Sequence, residues 1–352
     1  MMIALIKNRF FSKGITEIKK LNDGIMQIDD RPMKTILITG ASGFIGQALC
    51  QELSLQYKVI GLDRGLRCNN QETWVSVKAD IEDEKMLKDV CNKYLPDVVI
   101  HCAGLAHQKL NSKTSTNLYE KMNSIATEKL AHAAVSANPS VYFIFLSSIS
   151  VYGEDFRKKI IKETDQCFPT SSYAVSKLDA ENRLEKLYAA NLLKRIDLLR
   201  LAPVYDVQWS LNLEKRVFSP RKMFYLRFGS GEQKMSALAR QNLVEFIGFR
   251  LKHLVQQPFC DIINICDERP YQFNEIIEIF QKTKYQPEKR VINIPLQLVR
   301  LPILFMGLLL KNRSVWIHSF YDKLAKDLVF DNQKMSNTGF KHKVDLRALF
   351  IN

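Results

Sequence analysis

The sequence predicts an α/β fold, in which a doubly wound parallel sheet is followed by a smaller C-terminal lobe. Short apolar, β-rich runs alternate with helical patterns from Lys34 to Tyr205. A glycine-rich turn stands directly after the first of these runs, and the alternation stops after Asp206. Alternating βα units with nearly continuous apolar strands are typical of a parallel sheet that helices cover on both faces.

The expected strands are short apolar runs separated by helical stretches. The strands are predicted within 34–40 (KTILITG), 57–63 (YKVIGLD), 74–80 (WVSVKAD), 97–104 (DVVIHCAG), 141–148 (VYFIFLSS) and 196–205 (IDLLRLAPVY). The helices are predicted over Gly43–Gln56, Asp83–Tyr94, Leu118–Asn138 and Ser172–Asn191. Residues 1–32 are expected to be a dispensable N-terminal extension, because Met33 begins a compact run that could itself open a domain.

The pattern changes after Asp206. Residues 207–228 are basic, aromatic and aperiodic, as in a segment that covers a ligand, whereas 241–255 is predicted to be a helix and 260–270 to contain a strand. We expect 206–352 to form mainly the substrate-binding lobe, with a strand near 240–267 returning to the first domain. The apolar stretch 294–310 is interrupted by Arg300 and is too short to span a bilayer, so we favour a buried helix over an interfacial segment.

Composition limits the classes of function. The 352 residues carry a net charge of +14, but the basic residues are spread along the chain without a nucleic-acid motif, which argues against nucleic-acid binding. A basic surface also suits a diphosphate substrate or weak peripheral association with an anionic membrane. The 7 scattered cysteines form no CxxC pair, so we expect free thiols, no metal site and a cytoplasmic location without a secretory signal.

The glycine-rich turn predicts a dinucleotide site. Gly40, Gly43 and Gly46 stand in a GxxGxxG pattern between a strand and a helix, where they permit a tight turn and close approach to a pyrophosphate. Asp63 ends the second strand, where a carboxylate accepts both ribose hydroxyls of NAD and repels the extra phosphate of NADP. Arg64 could instead accept that phosphate. We therefore predict a Rossmann-type domain over 33–205 that binds NAD, with NADP as the alternative.

Tyr173 and Lys177 are candidates for acid–base chemistry. They lie four residues apart in a predicted helix, so their side chains project from the same face. An ammonium group near a phenol favours the ionised form and lowers the phenol's pKa from about 10, which makes the tyrosine a usable base. The spacing by itself is also that of an ordinary surface pair.

The glycine turn, the serine before ISVYG and the YAVSK segment resemble the short-chain dehydrogenase/reductase superfamily. The resemblance is to its extended branch of NAD-dependent sugar epimerases and dehydratases, and it runs from about Lys34 to about Phe340. It implies that Ser148, with Ser147 as the alternative, joins Tyr173 and Lys177 in catalysis. It also implies a buried Asn123 and a set of cofactor-binding residues: Gly40, Ser42, Gly43, Phe44, Ile45, Gly46, Asp63, Asp80, Ile81, Ala103, Tyr173, Lys177 and Pro203.

The resemblance implies hydride transfer at a sugar carbon, with Tyr173 exchanging the hydroxyl proton, Lys177 holding the phenolate and cofactor ribose, and Ser148 bonding the reacting oxygen. Family dehydratases carry an acid pair after the serine, but Ile149 and Ser150 occupy those places here. A UDP-hexose 4-epimerase of surface-polysaccharide synthesis is therefore favoured, with a 4-ketoreductase as the alternative. The resemblance also implies a homodimer built on paired helices, including that of Tyr173.

Other residues are weaker candidates. Substrate contacts are expected from His107, Ser148, Lys234 and Arg240. Met235 stands where many UDP-sugar enzymes carry a diphosphate-binding arginine, so Lys234 and Arg240 would have to replace it. Tyr152 is expected to pack behind the site. This departure motivates a second hypothesis, a cofactor-binding scaffold with a degenerate pocket. The apolar stretch 294–310 motivates a third, a dehydrogenase of lipid alcohols at a membrane.

Overall fold

The main sheet of this protein has seven parallel strands. A computed structural model describes residues 35–65, 73–106, 112–153, 160–283, 289–300, 321–322 and 324–351. The sheet strands are β1 (Thr35–Thr39), β2 (Lys58–Asp63), β3 (Val75–Lys78), β4 (Val98–His101), β5 (Tyr142–Ser148), β6 (Arg195–Leu201) and β11 (Phe259–Ile265). They lie side by side in the order β11-β6-β5-β4-β1-β2-β3. This architecture confirms the predicted doubly wound parallel sheet.

Helices cover both faces of the sheet, because its central strands are apolar on both sides. In β1, Ile36 and Ile38 belong to the core on one face and Leu37 to the core on the other. In β5, Tyr142 belongs to the same core as Ile36, and Phe143 belongs to the same core as Leu37. Side chains that alternate between two buried faces explain why these strands are continuously apolar in the sequence.

Five α-helices lie in the described residues of the first part of the chain, and most of them begin and end near their predicted bounds. They are α1 (Phe44–Leu53), α2 (Glu84–Tyr94), α3 (Ser112–Tyr119), α4 (Ala126–Ala137) and α5 (Ser172–Ala189). Asp83 caps α2 by accepting a hydrogen bond from Met86 N at 3.0 Å, and Ser171 caps α5 by accepting one from Ala174 N at 3.2 Å. Such caps satisfy N–H groups that the first helical turn leaves without an intrahelical partner.

One predicted helix differs in form. The helix expected over 118–138 begins earlier, at Ser112, and contains a π-helical turn, Glu120–Ile125, between α3 and α4. Such turns interrupt the regular hydrogen-bond ladder and occur often at functional sites. The π turn carries Asn123, which is fully buried. The irregularity therefore places a polar side chain inside the protein.

The C-terminal part adds short elements around a third core. Its elements are β7 (Val204–Tyr205), α6 (Leu211–Val217), β8 (Tyr225–Phe228), β9 (Lys234–Met235), β10 (Leu238–Ala239), α7 (Arg240–Lys252), β12 (Tyr271–Gln272), α8 (Phe273–Gln281), β13 (Val291–Ile294), α9 (Gln333–Asn337) and α10 (Leu346–Ile351). The segment 207–228, which is aperiodic in sequence, thus contains both a helix and a strand. Its apolar side chains pack into a core around Tyr205, Tyr225 and Phe280.

Asp267 joins this part of the chain to the end of the sheet. Its carboxylate accepts hydrogen bonds from Ala239 N at 3.0 Å and Asn242 Nδ2 at 2.7 Å. The hydroxyls of Tyr205 and Tyr271 donate to it at 2.8 and 2.9 Å. A buried carboxylate with four donors is well satisfied, although burial still raises the pKa of Asp267.

Residues 301–310 of the apolar stretch 294–310 lie outside the described part of the chain, as does the extension 1–32. Among the described residues, no helix is both long enough and apolar enough to cross a membrane. Six of the cysteines in the described ranges are free thiols, namely Cys50, Cys91, Cys102, Cys167, Cys260 and Cys266.

Candidate active site

The glycine turn has the close packing that a dinucleotide loop requires. Gly40 has a φ of +68°, and a Cβ there would lie 2.8 Å from Ala103 N. A Cβ at Gly46 would lie 2.1 Å from Gly40 O, so a larger residue would push α1 away from the turn. Gly43 precedes α1 without a side-chain cap. The N-terminal N–H groups of α1 therefore have no side-chain acceptor, as expected of a phosphate-binding turn.

A cavity extends from this turn along the carboxyl ends of the strands. It is lined by Gly40, Gly43, Leu62, Asp63, Arg64, Ala79, Ile81, Cys102, Ala103, Gly104, Leu105 and Met122. Asp63 accepts hydrogen bonds from Ser42 N at 3.2 Å and Gly65 N at 2.9 Å, so its carboxylate is held at the cavity wall. Ligands of open parallel sheets bind at this edge. Glycines without room for a Cβ, together with an oriented carboxylate, fit a dinucleotide such as NAD.

Asp80 and Pro203 lie at other points of the same edge. Asp80 follows β3 and accepts a hydrogen bond from Glu82 N at 3.0 Å, which fixes the turn that carries Ile81 into the cavity wall. Pro203 lies between β6 and β7, and its carbonyl accepts from Leu238 N at 3.1 Å. The corner after β6 is thereby tied to β10.

Ser148 and Tyr173 meet at the end of β5. A hydrogen bond between their side chains opposes the effect of burial on the Tyr173 phenol. Ser150 donates to Ser148 Oγ from its backbone N at 3.2 Å and from its Oγ at 2.9 Å. Ser147 instead donates to the carboxylate of Glu181, which lies further along α5. The structure therefore places Ser148, and not Ser147, beside the tyrosine.

The pKa of Tyr173 does not move in the expected direction. Burial raises it, the hydrogen bond with Ser148 lowers it, and the nearby Tyr119 raises it. Lys177 donates from Nζ to the carbonyl of Leu146 at 2.8 Å and lies 4.6 Å from the centre of the Phe145 ring. The expectation of a lowered pKa rested on the helical spacing between Tyr173 and Lys177. Desolvation of the buried phenol is the larger effect, so the pKa of Tyr173 is raised.

The side chain of Lys177 lies next to the cavity. Its side chain is buried, and its Nζ lies 3.7 Å from the position of a Cβ on Gly104, one of the cavity-lining residues. Burial lowers the pKa of Lys177 to about 8, whereas Cys102 and Glu181 raise it. The ammonium therefore lies beside the dinucleotide cavity and within one helical turn of the tyrosine.

Asn123 ties these segments together from the π turn. Its Oδ1 accepts from Leu105 N at 2.6 Å, while its Nδ2 donates to Leu105 O at 3.1 Å and to Ser176 Oγ at 3.0 Å. Leu105 lines the cavity, and Ser176 lies between Tyr173 and Lys177 on α5. One side chain thus fixes the cavity wall relative to the helix that carries the tyrosine and lysine.

The substrate candidates have separate environments. His107 lies outside the described residues. The backbone N of Lys234 donates to Asp327 at 2.9 Å, and its side chain is exposed. Arg240 pairs with Asp206 at 2.5 Å and donates to Phe44 O at 3.1 Å. The side chain of Met235 is buried in the third core.

Two groups of residues near the site were missed from the sequence. Glu181 and Arg200 form a buried ion pair at 2.6 Å behind Ser147, and the Arg200 guanidinium lies 4.8 Å from the Tyr152 ring centre. Trp209 and Phe44 bring their ring centres within 5.7 Å at the first turn of α1. The partners in each group come from distant segments, so no local spacing marks them.

Comparison with known proteins agrees with this geometry. The profile of the NAD dependent epimerase/dehydratase family matches residues 36–207. The UDP-glucose 4-epimerase of Vibrio cholerae is 30% identical over 233 residues, which make up 64% of this chain and 69% of that protein. The N-acetyl-alpha-D-glucosaminyl-diphospho-ditrans,octacis-undecaprenol 4-epimerase of Escherichia coli O157:H7 is 25% identical over 246 residues, 69% of this chain and 70% of that protein.

A solved structure shares this fold. The UDP-glucuronic acid 4-epimerase from Bacillus cereus, crystallised in complex with NAD, superposes with a TM-score of 0.68 at 20% identity, over 90% of this chain and 96% of the other. The family profile, the Vibrio relative and this architecture agree. The chain therefore belongs to the NAD-dependent epimerase/dehydratase family, enzymes of the extended short-chain dehydrogenase/reductase type.

Proposed function

We propose that this protein is an NAD-dependent 4-epimerase of nucleotide-linked hexoses, with UDP as the expected nucleotide. One observation carries the proposal: Lys177 lies against cavity-lining Gly104, while Tyr173, one helical turn away, meets Ser148 at the end of β5. A phenol, a hydroxyl and an ammonium are thereby gathered beside the space that fits the dinucleotide. The Vibrio relative, whose name gives UDP-glucose as its substrate, supports the nucleotide.

Each side chain has a role in the reaction. The nicotinamide, when bound, supplies the hydride acceptor and donor. Tyr173 removes the proton from the sugar hydroxyl and returns it when the ketone is reduced from the opposite face. Ser148 donates a hydrogen bond to the reacting oxygen, and Lys177 places a positive charge beside the cavity that favours the phenolate. Burial raises the pKa of Tyr173, and its hydrogen bond with Ser148 acts in the opposite direction.

Dehydration is disfavoured by the residues after the serine. Ile149 is buried, and Ser150 uses its N–H and hydroxyl to donate to Ser148. Neither side chain is a carboxylic acid, so neither can protonate a departing hydroxyl. An oxidation and reduction at the same carbon requires no such acid, and this supports epimerisation.

We propose NAD rather than NADP as the cofactor. Asp63 presents a carboxylate at the cavity wall, where a ribose phosphate would be repelled, and this supports NAD over NADP despite Arg64 beside it. Isothermal titration with both dinucleotides tests the preference. Tighter binding of NADP would contradict it.

Product analysis tests the epimerase directly. Purified protein is incubated with UDP-glucose or UDP-N-acetylglucosamine, and the 4-epimers are separated by chromatography. We expect epimer formation by the parent and a loss of about 10³-fold or more in kcat for Tyr173→Phe, which keeps the ring but lacks the proton-transfer group. Tyr188→Phe, in the last turn of α5, is a matched control and should retain full activity. No epimer from any UDP-hexose would refute the proposal.

Cofactor retention separates the epimerase from the 4-ketoreductase. An epimerase regains its redox state in each cycle and can keep its NAD, whereas a reductase must exchange its cofactor. Heat-denatured protein should release about one NAD per chain if it is an epimerase. An empty protein that oxidises NADH with 4-keto sugars would favour the reductase, and a protein without any turnover would favour the scaffold.

A lipid-linked sugar is the second candidate substrate. The Escherichia coli relative is named as a 4-epimerase of a polyprenyl diphosphate-linked sugar, and the net charge of +14 suits an anionic membrane surface. Assays with undecaprenyl diphosphate-linked N-acetylglucosamine in anionic vesicles, compared with UDP-N-acetylglucosamine in solution, distinguish the two. Turnover of the lipid-linked sugar alone would favour this candidate and a peripheral association with the cytoplasmic face of the membrane.

A further inference from the structure

Arg240 connects the beginning of α7 to the first turn of α1. Its Nη1 donates to the carbonyl of Phe44 at 3.1 Å, and its Cζ lies 4.5 Å from the centre of the Phe44 ring. Its Nη2 pairs with Asp206 at 2.5 Å. One guanidinium thus contacts both the backbone and the ring of the residue that begins the dinucleotide-binding helix.

Asp206 and Trp209, in the segment after β7, complete this cluster. Asp206 and Trp209 exchange two backbone hydrogen bonds of 2.9 Å, so the carboxylate and the indole are held in one tight turn. The Trp209 ring centre lies 5.7 Å from that of Phe44, at an interplanar angle of 32°. We call Phe44, Asp206, Trp209 and Arg240 the α1 clamp.

The positive charge of Arg240 lies beside the N-terminus of α1, and this position indicates the role of the α1 clamp. A cation near a helix N-terminus is unfavourable on its own, because the helix dipole is positive at that end. The arrangement becomes favourable when an anion occupies the turn, and a dinucleotide pyrophosphate is such an anion. Asp206 neutralises part of the charge and orients the planar guanidinium, whose fork can serve a carboxylate and a carbonyl at once.

The α1 clamp adds an external restraint to this turn. Gly40, Gly43 and Gly46 restrict the backbone little, and α1 begins without a side-chain cap. A flexible turn that must be ordered on binding reduces affinity, whereas a turn fixed beforehand increases it. The contact of Arg240 with Phe44 O holds the first turn of α1 without using the N–H groups that face a phosphate.

We propose that Arg240 is a positioning residue for the cofactor: through the α1 clamp it holds the first turn of α1 and sets how slowly the dinucleotide dissociates. This assigns Arg240 to the cofactor rather than to the diphosphate of the substrate. The inference deepens the proposed function and rests on its cofactor, but not on the identity of the sugar.

The dissociation rate of NADH is the appropriate measurement. NADH bound to the full chain is displaced by excess NAD in a stopped-flow instrument, and the loss of NADH fluorescence gives the rate constant. We expect Arg240→Ala to dissociate about tenfold faster than the parent, because a charge-assisted contact to the turn is lost. Arg240→Lys keeps the charge without the planar fork and should lie between the two.

Arg269→Ala is the matched control. Arg269 pairs with Glu275 at 2.5 Å and lies 5.1 Å from the Tyr271 ring centre, so it has the same kinds of contact away from α1. We expect a similar change in Tm and an unchanged NADH dissociation rate.

Two results would overturn the inference. One is a rate constant within about twofold of the parent for Arg240→Ala or, if that variant does not fold, for Arg240→Lys. The other is an equal acceleration in Arg269→Ala, which would indicate general destabilisation. A parent that binds NADH without epimerising sugars would refute the proposed function alone, and a parent that binds no dinucleotide would refute both.

Discussion

Lys177 is buried, and burial disfavours the charged form of its ammonium group. Its side chain is 5% exposed, and burial lowers its pKa to about 8, while Cys102 and Glu181 act in the opposite direction. His101, a further titratable group near it, is neutral at physiological pH because burial and Lys177 lower its pKa to about 3. Burial raises the pKa of the Cys102 thiol, so of the two groups that raise the pKa of Lys177 the Glu181 carboxylate, one turn along α5, is the negatively charged one.

We predict that Glu181→Gln shifts the alkaline limit of activity to lower pH. The reaction needs protonated Lys177, so activity falls as pH rises through the lysine's pKa. Removing the negative charge of Glu181 lowers that pKa further, and the descending limb of kcat/KM should move down by about one pH unit or less. The pH profile of the folded protein is the measurement.

The matched control for this prediction is Glu185→Gln, one turn further along α5. Its side chain should leave the limb unchanged, because Glu185 is not among the groups that shift the pKa of Lys177. Glu181→Gln should also lower Tm, since Arg200 loses the charge of its buried partner. A lower Tm with an unmoved limb would mean that the ion pair is structural only.

At the scale of elements, the π turn Glu120–Ile125 is the irregularity that builds the site. It lies between two α-helical segments and places Asn123 against both the loop after β4 and helix α5. A Cβ on Gly104 would lie 2.9 Å from Asn123 Oδ1, so the loop and the turn are closely matched. The turn thus couples the cofactor cavity to the helix that carries Tyr173.

We predict that Asn123→Ala both destabilises the protein and weakens dinucleotide binding. The substitution leaves the N–H and C=O of buried Leu105 without partners, which costs about 2–4 kcal/mol of the free energy of unfolding. The loop also loses its fixed position at the cavity. Urea unfolding gives the first effect, and isothermal titration with NAD gives the second.

Asn138→Ala provides the comparison. Asn138 ends α4, donates to Pro96 O at 3.1 Å and accepts from Ser140 N at 3.0 Å, so it also has contacts of both kinds. It is half-buried and remote from the cavity, and its removal should cost about 1 kcal/mol without changing NAD affinity. Equal NAD affinity in the two variants would show that Asn123 does not position the site.

At the scale of the whole molecule, two exposed apolar side chains lie near the start of α5. Val175 is 46% exposed and Phe168 is 54% exposed, although both lie close to Tyr173 in sequence. Scattered exposed apolar residues are ordinary, but two beside a helix expected to pair with its copy support association. We propose that the protein is a homodimer in which α5 lies at the interface.

We predict that Val175→Asp converts the dimer to a monomer. A buried, unpaired carboxylate at the centre of an isologous interface is introduced twice, once from each copy. Light scattering after size-exclusion chromatography measures the mass. Leu55→Asp, at a site that is 71% exposed after α1, should leave the mass unchanged. A monomeric parent, or a dimeric Val175→Asp variant, would contradict the proposed interface.

The local parts of this protein could be predicted from its sequence because they depend on neighbouring residues. Apolar runs and the glycine turn specify strands and a phosphate loop through backbone geometry, and Tyr173 and Lys177 share a helix face through the helical repeat. The segment 207–228 shows where such reasoning fails: α6 and β8 are stabilised by packing against the third core, so no periodic pattern marks them.

Only the tertiary structure decided which groups meet. Ser147 and Ser148 are adjacent, yet they form hydrogen bonds with different residues of α5, Glu181 and Tyr173. Arg240 reaches Phe44 across 196 residues, and the desolvation that raises the pKa of Tyr173 comes from the surrounding protein rather than from its helix. Sequence determines what each segment can do alone, whereas contacts and burial arise only when segments distant in the chain pack together.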